Sequence, residues 1–404
     1  MHRAMRAGST VPSVSSSDPG PVGRPSALRR RWRARWLDVH LVLGLSVGIV
    51  FTLLGVTGAL LVFYVEIDGA LNPLPAGSSD GVRRSHEAVF QALRQAHPSR
   101  DRAWRLEMPM AAGQPVTARY YRAPEKARLA FAPLVVQVDP VTLRVGPARF
   151  WGEFAMTWIY DLHYTLLLDR TGKTMLGILG LTLLVSLATG LWLWWPSGRR
   201  WRSALQWKRQ AGPARRIYDL HTLTGVYGAL VLLVIVLTGV MLEVPGWVNP
   251  WIDRVSPLRA AVLPRSSMEG RAHRIDVDEA VRVGQTRFPS AELRWIETPD
   301  GTEGAYRINL HQRGEPGRRF PKTNVWVDQY TGAVLAVRDP RTDRAGDTML
   351  AWLHPLHSGE ALGLPGRLLV LASGLAPGIL LITGCLRWRH KRRAAREATQ
   401  RGSG

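Results

Sequence analysis

The sequence predicts an α-helical membrane protein: four core transmembrane helices built as two parallel repeats, with two small α+β domains on one side of the bilayer. Three observations predict it. Four runs, 41–65, 174–195, 222–244 and 366–386, are almost wholly apolar. Each is long enough, at about 1.5 Å per residue, to cross a hydrocarbon core of roughly 30 Å. Basic residues crowd beside these runs at only one of their two faces, and the second half of the chain repeats the spacing of the first.

The basic residues set the topology. The chain has 404 residues and a formal net charge of +22, and its Arg and Lys concentrate at 29–35, 199–216 and 387–393. Under the positive-inside rule all three stretches are cytoplasmic, so both termini lie inside and the loops 70–174 and 245–365 lie outside. The expected location is a bacterial inner membrane, crossed several times. Charge placed at helix flanks answers to lipid, so a bilayer is the expected partner and nucleic acid is not.

The expected order is a disordered basic cytoplasmic tail (1–36), a first span (37–66), a first outer domain (67–150) and an interfacial helix with the second span (151–196). A basic cytoplasmic loop (197–216) leads to a third span (217–244) and a second outer domain (245–345). An interfacial helix with the fourth span (346–386) and a basic cytoplasmic tail (387–404) complete it. Residues 9–25 are rich in Ser, Pro and Gly, the composition of a disordered segment. The run that follows lacks a small-residue cleavage signal, so the first span is expected to be retained. Trp192, Trp194, Trp195 and Trp201, and Trp247 with Trp251, sit where headgroup-level aromatic belts belong. In the outer loops, 85–96 and 276–287 pattern as helices. Strand-like 134–138 leads into the turn Asp139-Pro140-Val141-Thr142, and 325–327 into Asp328-Gln329-Tyr330-Thr331-Gly332.

The repeat carries the chemistry. His40 is followed by Gly44 and by Thr57-Gly58 at offsets of 17 and 18; His221 is followed by Gly225 and by Thr238-Gly239 at the same offsets. His163 is preceded by Trp158 and followed by Gly172, Lys173 and Thr189-Gly190. His357 has Trp352, Gly366, Arg367 and Thr383-Gly384 in the same register. Both halves run outward and then inward, as parallel repeats about an axis along the membrane normal do. That axis brings His40 to His221 near the cytoplasmic face and His163 to His357 near the outer face.

One histidine near a membrane interface is ordinarily a polar anchor. Four at repeat-matched positions are better explained as ligands, two to each level of a four-helix bundle, which suits bis-histidine haem. Cys385 is the sole cysteine, so no C-x-x-C-H attachment site exists and two haems would be held non-covalently, as b-type. Zinc wants at least three protein ligands, which neither level clearly offers, while copper stays open. His354, one turn before His357, is a weaker alternative ligand; its first-half counterpart is Tyr160. Gly44, Gly48, Gly225, Gly228, Gly374 and Gly378 either leave room for a porphyrin or serve close helix packing. Asp38 and Asp219 are expected as helix N-caps. Lys173 and Arg367 at one face, and Arg35, Arg215 and Arg216 at the other, are candidates to pair with propionates.

The residues of the repeat, Asp38-Val39-His40, Asp219-Leu220-His221, the Thr-Gly pairs, and Leu356-His357-Ser358-Gly359 with Leu364-Pro365-Gly366-Arg367, resemble the PepSY-associated transmembrane family over about 34–390. The resemblance implies that the outer domains are periplasmic and PepSY-like. Leu143 stands after Thr142 where the second half has Gly332. Members of that family include inner-membrane reductases that reduce ferric siderophores through two b-type haems. The resemblance therefore implies a membrane haem oxidoreductase of ferric-chelate reductase type, serving iron uptake, with a cytoplasmic or quinol donor on another molecule and a periplasmic ferric chelate as acceptor. A non-enzymatic PepSY binding or regulatory protein acting on envelope peptidases or partners is the alternative, and it leaves the matched histidines unexplained. A transporter is disfavoured because 41–63, 174–195 and 222–242 carry no charge.

Overall fold

The computed structural model describes residues 27–73, 81–111, 113–196, 200–268 and 273–402; the tail 9–25 lies outside the described residues. Four helices are long and apolar enough to cross a membrane. They are α1 (Ala27–Leu61), α5 (Asp169–Trp194), α7 (Pro213–Glu243) and α11 (Gly363–Gly402). The short α2 (Tyr64–Leu71), α3 (His86–Ala96) and α4 (Ala155–Thr165) stand between the first two, and α6 (Trp201–Ala204) before the third. α8 (Pro245–Val255), α9 (Val277–Arg287) and α10 (Ala345–Ser358) stand between the last two. Apart from α6, the element order of the first half recurs in the second.

In the bundle α1 packs on α5 and α11, and α7 packs on the same two, so α1 and α7 are diagonal partners. The α1–α11 crossing is set by backbone: a Cβ at Gly55 would come 2.2 Å from the Gly374 carbonyl oxygen, and one at Gly374 would come 2.5 Å from that of Gly55. Gly378 meets Thr52 and Gly48 meets Leu381. Gly48, Gly374 and Gly378 thus serve helix contact, as small residues do in lipid, whereas Gly44 opens on free space.

Two helices run past the apolar runs that marked them. α1 begins at Ala27 and α11 continues to Gly402, because the flanking Arg, Ala, Leu and Lys are good helix formers and the basic ends need only reach water. This corrects the expectation of a disordered segment reaching residue 36. It also corrects Asp38 and Asp219, which lie inside helices rather than at N-caps. Asp219 is buried and accepts from Arg215 Nε at 2.8 Å and from the Lys208 amide at 3.2 Å.

The outer segments share one sheet. Its strands are β1 (Trp104–Glu107), β2 (Val116–Tyr120), β3 (Leu134–Val138), β4 (Arg149–Phe150), β5 (Glu292–Glu297), β6 (Ala305–His311), β7 (Thr323–Asp328) and β8 (Val334–Arg338). The order is β4-β3-β2-β1-β5-β6-β7-β8, antiparallel throughout. The halves join where β1 pairs β5, with Leu106 opposite Ile296. Strand alternation puts Leu106, Ala118, Val136, Ile296, Ile308 and Val325 into one core under α3 and α9, so the two expected outer domains are a single unit. The opposite face carries ion pairs, Arg105–Glu297 at 2.5 Å and Arg119–Glu107 at 2.9 Å among them.

The two expected turns are alike. Asp139 Oδ1 accepts from the Val141 amide and Asp328 Oδ1 from the Tyr330 amide, each at 2.8 Å. Leu143 takes φ +60° where Gly332 takes +69°, so a leucine is held in a left-handed conformation by side-chain packing against the core.

Gly55→Val or Gly374→Val should destabilise the detergent-solubilised protein by about 1–3 kcal/mol through overpacking, read as a lower melting temperature. Gly44→Ala should leave it unchanged.

Candidate functional site

Each of the four repeat-matched histidines sits against a Thr-Gly pair on the neighbouring long helix of its own half. His40 Nδ1 lies 3.1 Å from Thr189 Oγ1, His163 Nδ1 3.0 Å from Thr57 Oγ1, His221 Nδ1 2.9 Å from Thr383 Oγ1, and His357 Nδ1 3.3 Å from Thr238 Oγ1. All four threonines are buried. Each hydroxyl already donates its one proton to its own helix, Thr57 to Leu53, Thr189 to Ser186, Thr238 to Val234 and Thr383 to Ile379. It can therefore only accept from the ring.

Main-chain carbonyls reinforce this. His40 Nδ1 is 3.1 Å from the Ser186 oxygen and His357 Nδ1 is 2.9 Å from that of Ile235. A carbonyl cannot donate, so Nδ1 carries the hydrogen and Nε2 keeps its lone pair. Among the described residues no hydrogen-bond partner meets Nε2 of any of the four. The glycine after each threonine admits the ring edge. A Cβ there would stand 2.9 Å from His163 Cε1 at Gly58, 3.0 Å from His40 at Gly190, 3.0 Å from His357 at Gly239 and 3.6 Å from His221 at Gly384.

Across the bundle the rings pair as the topology required. His40 and His221 have centroids 6.3 Å apart at 85°, and His163 and His357 have centroids 6.3 Å apart at 52°. Thr57, which meets His163, lies 17 residues beyond His40 on α1, so the two levels are about 25 Å apart along the helix. His163 and His357 stand at the sheet-side end, on short helices that stop immediately after them. Leu166 and Leu167 take φ +51° and +59°, and Gly359 takes +77°. Gly172 and Gly366 then let the long helices fold back: a Cβ at either would strike the carbonyl oxygen of Thr165 or Gly359. Burial, followed by the neighbouring His357, holds His163 at about 4; burial also lowers His357.

His354 faces elsewhere, edge-on to Phe320 at 4.8 Å. The expected propionate cations are engaged within the chain. Arg367 donates to the Val62 carbonyl at 2.8 Å and to Glu66 at 2.6 Å, and Arg215 to Asp219. Arg216 donates to the carbonyls of Ala211 and Arg209, Lys173 lies 4.0 Å over Tyr164, and Arg35 lies over Trp32. The threonines and glycines are what sequence reasoning left without a role. Their signal was present, since they repeat at the same offsets as the histidines. Arg387, read only as a cytoplasmic flank, stacks at 4.7 Å on Tyr218, three residues before His221.

The family model for the PepSY-associated TM region matches residues 37–391, and the chain belongs to that family. An uncharacterized protein of Pseudomonas aeruginosa is 27% identical over 270 residues, which is 61% of this chain and 66% of that relative's length.

The environment of His354 makes acid stability measurable. Burial first, then Arg319, His357 and Lys322, holds His354 at about 3, below its ordinary 6.5. Between those values the unfolded chain binds the extra proton. Stability is therefore full above pH 6.5 and is lost progressively towards pH 3. Melting temperature should fall as pH drops from 7 to 4, and fall less steeply in His354→Phe.

Proposed function

We propose that this member of the PepSY-associated TM region family carries electrons across a bacterial inner membrane on two non-covalently held b-type haems, one on His40 and His221 and one on His163 and His357. The observation that carries the reading is the common ring spacing. A metal–imidazole bond runs about 2.0 Å and an imidazole nitrogen lies about 1.1 Å from its ring centroid, so imidazoles on opposite sides of one metal would have centroids roughly 6.2 Å apart, within about 0.1 Å of what is seen here. Both pairs stand at 6.3 Å. Among the described residues no group of three or more His, Cys, Asp or Glu is placed to hold a metal ion. Two imidazoles suit a metal whose remaining ligands come with it, as porphyrin nitrogens do.

When bound, haem supplies an iron that takes up and passes on one electron. The chain's residues prepare for it. The threonines fix the Nδ1–H tautomer, orient each ring and raise the basicity of Nε2, the ordinary role of a hydrogen bond behind a metal-binding imidazole. The glycines let the rings lie close to the neighbouring helix.

In this reading the halves are parallel repeats, both termini are cytoplasmic and the shared sheet is a pair of fused PepSY-like units in the periplasm. The basic face receives electrons from a separate reductase or from quinol. The sheet side delivers them to a ferric siderophore or another ferric chelate for iron uptake. Each ferric ion accepts one electron and becomes ferrous, and no atom is transferred.

The reduced-minus-oxidised spectrum with a pyridine haemochrome assay on detergent-purified protein tests this. Two b-type haems per chain are expected, with one lost in His40→Ala and one in His357→Ala. No haem after expression with adequate haem supply would sink the redox reading and favour the binding-protein alternative. Gly58→Val, which crowds His163 Cε1, should lose only the sheet-side haem.

A further inference from the structure

Between the sheet and the bundle lies a cleft of about 140 Å³, room for several water-sized groups. Its wall is strongly basic. Arg119, Arg149, Arg294 and Arg319 line it against two carboxylates, Asp68 and Glu107, a lining charge of 4 − 2 = +2. Three of the arginines have acceptors. Arg119 pairs with Glu107, Arg294 is nearly buried and pairs with Glu292 at 3.1 Å, and Arg149 donates to Asn72. Arg319 differs, because among the described residues its guanidinium has neither a carboxylate within ion-pair distance nor a hydrogen-bond acceptor, whereas Arg149 at least has the Asn72 amide oxygen. It is suspended between two aromatic rings, 4.7 Å from that of Tyr64 and 5.5 Å from that of Phe320.

Those two rings tie the cleft to the histidines. Tyr64 meets Tyr160 edge-on at 6.0 Å, and Tyr160 is one turn before His163 on α4. Phe320 meets His354 edge-on at 4.8 Å, and His354 is one turn before His357 on α10. Two ring contacts thus connect the free cation to Tyr160 and His354, matched positions of the two halves on the helices that carry the sheet-side pair. Arginine is the side chain for this task, since it stays charged, stacks on aromatic faces and still presents a fork of donors to an oxyanion.

We propose that this cleft binds a small anionic ligand from the solvent side through its carboxylate or equivalent oxyanion groups, with Arg319 as the principal contact. That the ligand is also the electron acceptor rests on the electron-transfer reading. The anion site itself does not. A haem propionate would offer Arg319 the same carboxylate chemistry, so the test separates the two sources.

The full chain, purified in detergent, is titrated calorimetrically with citrate and with redox-inert gallium citrate while haem content is recorded on the same samples. Saturable binding that weakens with added salt is expected. It should drop about tenfold or more in Arg319→Ala, with partial recovery in Arg319→Lys. Arg313→Ala and Arg341→Ala, at exposed arginines of another surface hollow, should bind as the unaltered protein does. If the alanine variant melts early, Arg319→Gln replaces it. Absence of binding by the unaltered protein, or unchanged binding in Arg319→Ala, overturns the proposal. Loss of the sheet-side haem in Arg319→Ala with citrate binding intact would assign the guanidinium to a propionate and overturn it too. Arg319-dependent binding by a protein that carries no haem would leave the anion site standing while the electron-transfer reading falls.

Discussion

Everything at the centre of this bundle depends on a buried threonine hydroxyl that satisfies two groups at once. In lipid no water completes an unpaired donor or acceptor, so a polar side chain in a span must find its partners within the protein. Each of Thr57, Thr189, Thr238 and Thr383 returns its proton to its own helix and offers its oxygen to an imidazole. The histidine is thereby anchored on one side and left with a bare nitrogen on the other. The glycine beside each threonine permits that close approach. Ring spacing across the bundle follows from these intra-half contacts together with the diagonal placement of α1 and α7.

Much of this was legible in the sequence because the same residue spacings occur in both halves. Equal offsets identified the four histidines, their pairing and the Thr-Gly positions. The role of Thr-Gly was not legible, because each pair serves a ring from another helix, and periodicity within one helix says nothing about which neighbour it meets. Helix ends were missed for a different reason. Apolar pattern ends where lipid contact ends, but arginine and alanine continue a helix readily once it leaves the membrane. Joining of the outer segments into one sheet was equally hidden. Pairing of β1 with β5 is a contact between strand edges nearly 200 residues apart, and alternation fixes a strand's faces without naming its neighbour.

The departures from symmetry are as informative as the repeat. Leu143 holds the conformation that Gly332 adopts freely, so the turn survives the loss of its glycine because the surrounding core holds it. Likewise Leu166 and Leu167 make the sharp reversal after His163 that Gly359 makes after His357. Non-glycine residues in that region cost free energy, and here they stand three and two residues before a helix whose first turn is pressed onto the preceding backbone. The position of His163 is over-determined by packing, which is what a side chain held to a fixed distance from a partner requires.

The repeated spacing matches His40 with His221 and His163 with His357, so the members of each pair correspond while the two ends of the bundle do not. The two ends differ in kind. One presents the basic helical ends of α1 and α11, together with Arg387 stacked on Tyr218. The other is covered by a sheet whose ion-paired face looks towards the bundle and encloses the arginine-lined cleft. Most of that sheet's charge is neutralised in cross-strand pairs such as Arg105–Glu297, so its field at the cleft is modest except where a cation lacks a partner. Among the described residues Arg319 is such a cation, and it lies in the connection between β6 and β7 of the second half. The asymmetry at this loop leaves a guanidinium held between two rings on the sheet side, while the ring pairs keep the same 6.3 Å spacing at both levels.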